Sequence, residues 1–271
     1  MSVTELVPNL KGLYNAIWSV IHVSALTNNN SESAKREFTK MMYAFQVLLP
    51  DRCSRMTLRI YMEMNDINKA FPLTKDKNSY NRHLFKWTYD LHAFANHIRT
   101  IENRMEYSRG RLHDNPTMEQ NSTLDYDSAF SLHSNINSTK DWGPNYWKTI
   151  HGLAVHLDNK LKREAFKTFI LSLRFTLPCS TCAKHLTEKL SMSEFSEAAM
   201  DAAFESIEPR LNGFKYTVNL HNNVNNDVGH PSVSINEAIK IHDYYRYDYS
   251  AVLNKKVCAA DKYSKNKRFV K

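Results

Sequence analysis

The stretch Trp147-Lys148-Thr149-Ile150-His151-Gly152-Leu153-Ala154-Val155-His156-Leu157 decides the class of fold. Trp147, Ile150, His151, Ala154 and Val155 recur at i, i+3, i+4, i+7 and i+8, which marks one face of an α-helix rather than the alternation of a strand. Towards the C-terminus, Phe166 to Phe175 is a second apolar helical pattern, and it delivers the chain to Leu177-Pro178. Just past that proline, Cys179 to Leu190 reads as a third helix. Ser234 to Tyr245 reads as a fourth, opened by a capping box in which Glu237 follows Ser234 by three residues. Composition agrees. The chain has 271 residues and only six glycines, where an average usage of roughly 7 % predicts about nineteen. Neither GxGxxG nor a P-loop pattern occurs, so a Rossmann-type or P-loop nucleotide site is not expected. The expected fold class is all-α.

No apolar run approaches the roughly 20 residues that a membrane-spanning helix needs. The start, Met1-Ser2-Val3-Thr4-Glu5-Leu6, has neither a basic region nor an apolar signal core. The expectation is a soluble chain with no signal peptide and no membrane partner, in which four cysteines read as catalytic or metal-binding rather than as a disulfide framework. The net charge of +8 comes partly from the basic tail over 255–271, read as solvated.

The chain echoes itself. Trp18-x-x-x-His22 matches Trp147-x-x-x-His151, Lys35-Arg36-Glu37 matches Lys162-Arg163-Glu164, and Leu49-Pro50 matches Leu177-Pro178. Phe85-Lys86-Trp87-Thr88-Tyr89-Asp90-Leu91-His92 matches Phe214-Lys215-Tyr216-Thr217-Val218-Asn219-Leu220-His221, and Asn96 matches Asn225. Matches in one order with offsets of 127 to 129 read as an internal duplication. The copies differ at Asp51-Arg52-Cys53-Ser54, which stands against Cys179-Ser180-Thr181-Cys182. The expected organisation is a degenerate helical copy without a dithiol over 1–106, a polar linker over 107–140, a catalytic domain over 141–254 and the basic tail over 255–271.

Two cysteines three apart can close and reopen as a two-electron redox couple. If Cys179 opens a helix, the unpaired N–H groups and the helix dipole favour its thiolate, and Lys184 and His185 add positive character. Cys179 is expected to be the more exposed partner and Cys182 to face the core. Trp147 and His151 stack on one helix face, and Asn222 and Asn225 address one side, as the edge of a nucleobase requires. The rival reading is a non-enzymatic helical virion or scaffold protein with a structural or zinc-bound CxxC. Zinc would need two more ligands, and Cys53 and Cys258 are isolated in sequence. No metal site is assigned.

Three motifs, Trp142-Gly143-Pro144-x-x-Trp147-x-x-x-His151, Pro178-Cys179-x-x-Cys182-Ala183-x-His185 and His221-Asn222-x-Val224-Asn225, resemble the Erv/ALR-type FAD-linked sulfhydryl oxidases over about Trp142 to Ala238. The length and the dithiol-less first copy are most similar to the baculovirus members. The resemblance implies a four-helix core holding FAD. It implies Trp147, His151, His221, Asn222, Val224 and Asn225 as cofactor-binding residues and Cys179 and Cys182 as the catalytic pair. Cys182 is then the flavin-proximal thiol and Cys179 the exchanging one. It further implies thiol-containing protein substrates, O2 reduced to H2O2, a homodimer, no nucleic-acid substrate, and a place in the virion and the nucleus and cytoplasm of an infected cell. One departure is Gly229-His230-Pro231, where the family often has Gly-Lys-Pro.

Overall fold

The computed structural model describes residues 6–7, 10–74, 76–108, 124–136, 138–241, 245–246 and 258–259. Helices dominate. The order is β1 (Leu6–Val7), α1 (Leu10–Thr27), α2 (Glu32–Leu48), α3 (Arg52–Met64), a 3-10 turn (Ile67–Ala70), α4 (Lys77–Ser108) and α5 (Tyr126–Ser134). Then follow α6 (Thr139–Ala154), α7 (Lys160–Thr176), α8 (Ser180–Ser191), α9 (Glu197–Phe204), α10 (Pro209–Asp227), α11 (Ile235–Ile241) and β2 (Tyr245–Arg246).

Local chemistry sets these boundaries. Asn159 caps α7 by accepting from Lys162 N, and Ser31 caps α2 by accepting from Ala34 N. Both helices end just before a Leu-Pro pair, because the residue ahead of a proline is driven out of the α region. Pro209 opens α10 at a position where a missing N–H costs nothing. The capping box expected at Ser234 is present: Ser234 N donates to Glu237 Oε2 at 2.7 Å, and Glu237 N donates to Ser234 Oγ at 3.2 Å.

The two halves pack side by side, α1 against α6 and α2 against α7. One apolar core runs through both, with Phe38, Met41 and Phe45 of α2 meeting Phe166, Phe169 and Ile170 of α7. The rings of Phe45 and Phe169 lie 5.2 Å apart. On the other seam, a Cβ on Gly152 would come within 2.5 Å of Leu13 Cδ1, so glycine is what admits α1 there. Polar bonds fix the register of that seam: Ser24 Oγ meets Tyr146 OH at 2.7 Å, and Asn145 Nδ2 donates to Ser19 Oγ at 3.0 Å.

Several expectations are corrected. The segment 107–140 is not all linker: it holds the end of α4, the start of α6 and the whole of α5, whose Tyr126 and Phe130 pack on Phe85. The fourth helix of the second half is shorter than the expected Ser234 to Tyr245, and Tyr245 is in β2, paired antiparallel with Val7. Most of the aromatic stretch 244–249 lies outside the described residues. The tail is not simply solvated, since Cys258 and Ala259 are buried. No helix among the described residues is long and apolar enough to cross a membrane.

Candidate active site

The centre of the site in the second half is a ladder of rings between α6 and α10. Trp147 and His221 stack with centroids 4.0 Å apart and planes 10° from parallel. His151 stacks behind His221 at 5.3 Å. His151 Nδ1 meets Thr217 Oγ1 at 2.9 Å, and His151 Nε2 meets His221 Nδ1 at 3.1 Å. Thr217 spends its own proton on Phe214 O at 2.8 Å, so its oxygen accepts from His151 Nδ1–H. The Thr217 bond thus puts a proton on His151 Nδ1, and His151 Nε2 and His221 Nδ1 share the next bond of the ladder. His151 is 1 % exposed, so it holds His221 in place from behind.

The same ladder stands in the first half. Trp18 and His92 stack at 4.0 Å and 9°. His22 Nδ1 meets Thr88 Oγ1 at 3.0 Å, His22 Nε2 meets His92 Nδ1 at 3.1 Å, and Thr88 donates to Phe85 O at 2.8 Å. Burial, with His133 and His92 close by, pushes His22 well below the usual histidine range. Burial chiefly holds His92 at about 4.

The dithiol sits at the N-terminus of α8. Cys179 is the N-cap residue, and Cys182 N donates to Cys179 Sγ at 3.1 Å. The two cysteines form a disulfide with Cα atoms 5.1 Å apart. Both are half-buried against the main core, along with Trp147; the structure does not divide them into one exposed and one core-facing thiol. Helix α8 packs on α7 and α10, which brings the dithiol helix and the ring ladder to a common neighbour. Lys184 and His185 are exposed, and Lys184 reaches back towards Glu188 at 3.9 Å.

At the corresponding place in the first half, Asp51 caps α3. Its Oδ1 accepts from Ser54 N at 2.8 Å, and its Oδ2 accepts from Ser54 Oγ at 2.7 Å and from Tyr14 OH. Asp51 and Ser54 thus stand as Cys179 and Cys182 do. Tyr14 stands as Gly143 does, and a Cβ on Gly143 would meet nothing within 4 Å. In the second half no side chain stands where the first half has the Tyr14 ring, and that ring is one wall of a cavity it shares with Trp18 and Ser54. The groups that would suit a flat aromatic cofactor are present in the second half: an indole–imidazole stack between α6 and α10, a half-buried disulfide at the start of α8 and no side chain at Gly143.

The amides behave differently from expectation. Asn222 Nδ2 donates to Val233 O at 2.9 Å, and Asn222 Oδ1 accepts from Val233 N at 3.0 Å. Asn225 Nδ2 donates to Pro231 O at 3.4 Å. Both hold the loop that turns at Gly229, whose φ of 72° suits glycine. Beyond these bonds Asn222 keeps one donor hydrogen and one lone pair, and Asn225 one donor hydrogen and both lone pairs of Oδ1. Val224 is half-buried on the same helix, and His230 in the loop is exposed. Thr217 and Gly143 are the residues that sequence reasoning left out of the site. The repeat itself held the signal for Thr217, because Thr88 matches it. Cys53 and Cys258, isolated in sequence, come together with Glu102.

Comparison with known proteins agrees with this geometry. The Erv1 / Alr family model matches residues 144–246. The FAD-linked sulfhydryl oxidase 347L assigned in Invertebrate iridescent virus 6 is 28 % identical over 94 residues, covering 33 % of this chain and 81 % of that protein. The FAD-linked sulfhydryl oxidase of African swine fever virus (isolate Warthog/Namibia/Wart80/1980) is 30 % identical over 110 residues, covering 38 % of this chain and 80 % of that protein. No solved structure matches significantly. With the dithiol at a helix start, the ring ladder beside it and these relatives, the chain belongs to the Erv1 / Alr family of FAD-linked sulfhydryl oxidases.

Proposed function

We propose that this flavin-linked thiol oxidase forms disulfides in protein substrates at Cys179 and Cys182. Trp147, His221, Val224 and Asn225 would hold FAD, with His151 and Asn222 bracing them. The observation that carries the reading is the contrast at one place in the fold. Where the first half has Tyr14 on an Asp51–Ser54 cap, the second half has a glycine, Gly143, and a Cys179–Cys182 disulfide at the helix cap.

The chain's own residues do the following. A substrate thiolate attacks Cys179 Sγ, the Cys179–Cys182 bond breaks, and Cys182 departs as a thiolate. A second substrate thiolate then attacks the substrate sulfur of the mixed disulfide, and Cys179 departs. The N-terminus of α8 and the Cys182 N–H aimed at Cys179 Sγ stabilise that departing charge. FAD held by these residues would supply the two-electron acceptor for the reduced Cys179–Cys182 dithiol and the link to O2, with H2O2 as the product. The Trp147–His221 stack, locked through His151 and Thr217, fixes the wall of the site before any ligand arrives, so little order has to be created on binding.

By the same family reading, the first half is a degenerate copy kept for packing, and the enzyme is a homodimer of the virion and infected cell. The direct test is the visible spectrum of the purified protein, followed by oxygen uptake on adding dithiothreitol. A flavin band that bleaches as oxygen is consumed, and that is missing from Trp147→Ala, is the expected result. A colourless protein even after incubation with FAD would overturn it. Sedimentation would settle whether the purified protein is a dimer.

A further inference from the structure

Cys53 and Cys258 take no part in the chemistry above. One lies in the first turn of α3, the other near the C-terminal end, and the fold buries them side by side at 7 % and 0 % exposure. Cys53 Sγ, Cys258 Sγ and a carboxylate oxygen of Glu102 all lie within 4.8 Å of one another. The thiols are hydrogen-bonded to each other. Cys258 Sγ also donates to Glu102 Oε1 at 3.2 Å, and Ala259 N donates to the same oxygen at 3.3 Å. Ile60, Ile98 and Ala259 surround the pair in an apolar cluster apart from the main core.

Two arrangements suit such a pair, a metal site or a disulfide. A structural zinc ion asks for four protein ligands, and the described residues gather three here. It also asks for thiolates. The bond to Cys258, burial and the Glu102 carboxylate all push the Cys53 thiol far above its usual range, which keeps that thiol protonated when reduced. A disulfide needs only the two sulfurs. It removes two buried S–H groups from an apolar cluster and leaves no donor to satisfy.

We propose that Cys53 and Cys258 are joined by a disulfide that staples the C-terminal segment to the first half. The bridge rests on this geometry alone; the source of its oxidation rests on the function proposed above. During folding, before the segment around Cys258 has docked, the Cys258 thiolate attacks Cys179 Sγ in the Cys179–Cys182 bridge of another copy. The Cys53 thiolate then attacks Cys258 Sγ and releases Cys179. Cys53 and Cys258 together lose two electrons and two protons, and Cys179 and Cys182 gain them as a dithiol. Cys53 and Glu102 also line the cavity bounded by Tyr14, Trp18, Ser54 and Arg99, so the staple would tie the C-terminal segment to a wall of that cavity.

The test is thiol counting on the full chain, denatured without reductant in excess N-ethylmaleimide and peptide-mapped. The expected result is no labelled cysteine and a crosslinked species joining the Cys53 and Cys258 peptides. Cys53→Ser should expose one labelled thiol, Cys258, and lower Tm by several degrees. Two labelled thiols in the wild-type protein would overturn the bridge. If about one equivalent of zinc is released at the same time, the cluster is a metal site instead. The Cys179→Ser/Cys182→Ser double variant, made in a reducing host, should arrive with both thiols labelled. If it arrives bridged, the staple stands and its self-oxidation is overturned.

Discussion

The two halves of the molecule keep the same frame and differ where chemistry would occur. Trp18, His22, Thr88 and His92 repeat Trp147, His151, Thr217 and His221 to within 0.1 Å in their hydrogen bonds. Tyr14, Asp51 and Ser54 do not repeat Gly143, Cys179 and Cys182 in kind, only in place. The ring ladder therefore stands both with a dithiol at the neighbouring helix cap and without one. On the function proposed above, activity turns on the helix cap, which is a cysteine pair in one half and a carboxylate–hydroxyl pair in the other.

The largest effect should come from breaking that cap. Cys182→Ser is expected to lower thiol oxidation by about three orders of magnitude or more, because no covalent route remains, while Ser54→Ala leaves the rate unchanged. Flavin absorbance should survive in both. Loss of flavin from Cys182→Ser would mean that the dithiol holds the cofactor as well as reacting beside it.

Exchanging Gly143 and Tyr14 sharpens the comparison. Gly143→Tyr should yield a folded protein with less than about a tenth of the wild-type flavin content, since in the first half the tyrosine at this place reaches the helix cap. Tyr14→Gly should retain flavin and lose about 3–5 kcal/mol of stability, from a large buried ring removed and a helix residue loosened. Absorbance ratios and denaturant melts read the two outcomes separately.

Acid should strain the frame. Burial holds His92 at about 4 and His156 at about 3, against an ordinary value near 6.5. Both are neutral in the folded chain, so below about pH 6.5 the unfolded chain binds more protons and stability falls with pH. The stabilisation is complete above about pH 6.5 and drains away as pH drops through the folded values. Between about pH 7 and pH 5 each of these histidines should cost on the order of 1–2 kcal/mol, read as a falling Tm. A Tm that rises on acidification would mean that the ladder takes up a proton when folded. The smallest effect should be Tyr146→Phe at the seam, about 1 kcal/mol for the lost bond to Ser24.

Much of this was legible in the sequence. The helices around Trp147, Phe166 and Cys179 announce themselves through a 3.6-residue period and Pro178, because burial of one face is a local pattern. Helix α5 escaped because it is short and leaves Leu132 exposed, while Tyr126, Phe130 and His133 turn inward onto Phe85. Strand β2 escaped because its partner, Leu6–Val7, lies at the other end of the chain. At the site, spacing placed Asn222 and Asn225 on one side of α10 but could not reveal that they grip the loop at Val233 and Pro231. The meeting of Cys53 with Cys258 was likewise beyond any local reading.

The packing of α2 on α7 has a thermodynamic consequence. Where such a face is covered by a separate subunit, its protection depends on protein concentration, and dilution strips it away. Here the covering half is carried on the same chain, at an effective concentration fixed by the connection between them. The dithiol-bearing half thus keeps its shielded flank when only a few molecules are present, and its melting temperature should owe nothing to this seam when the protein is diluted.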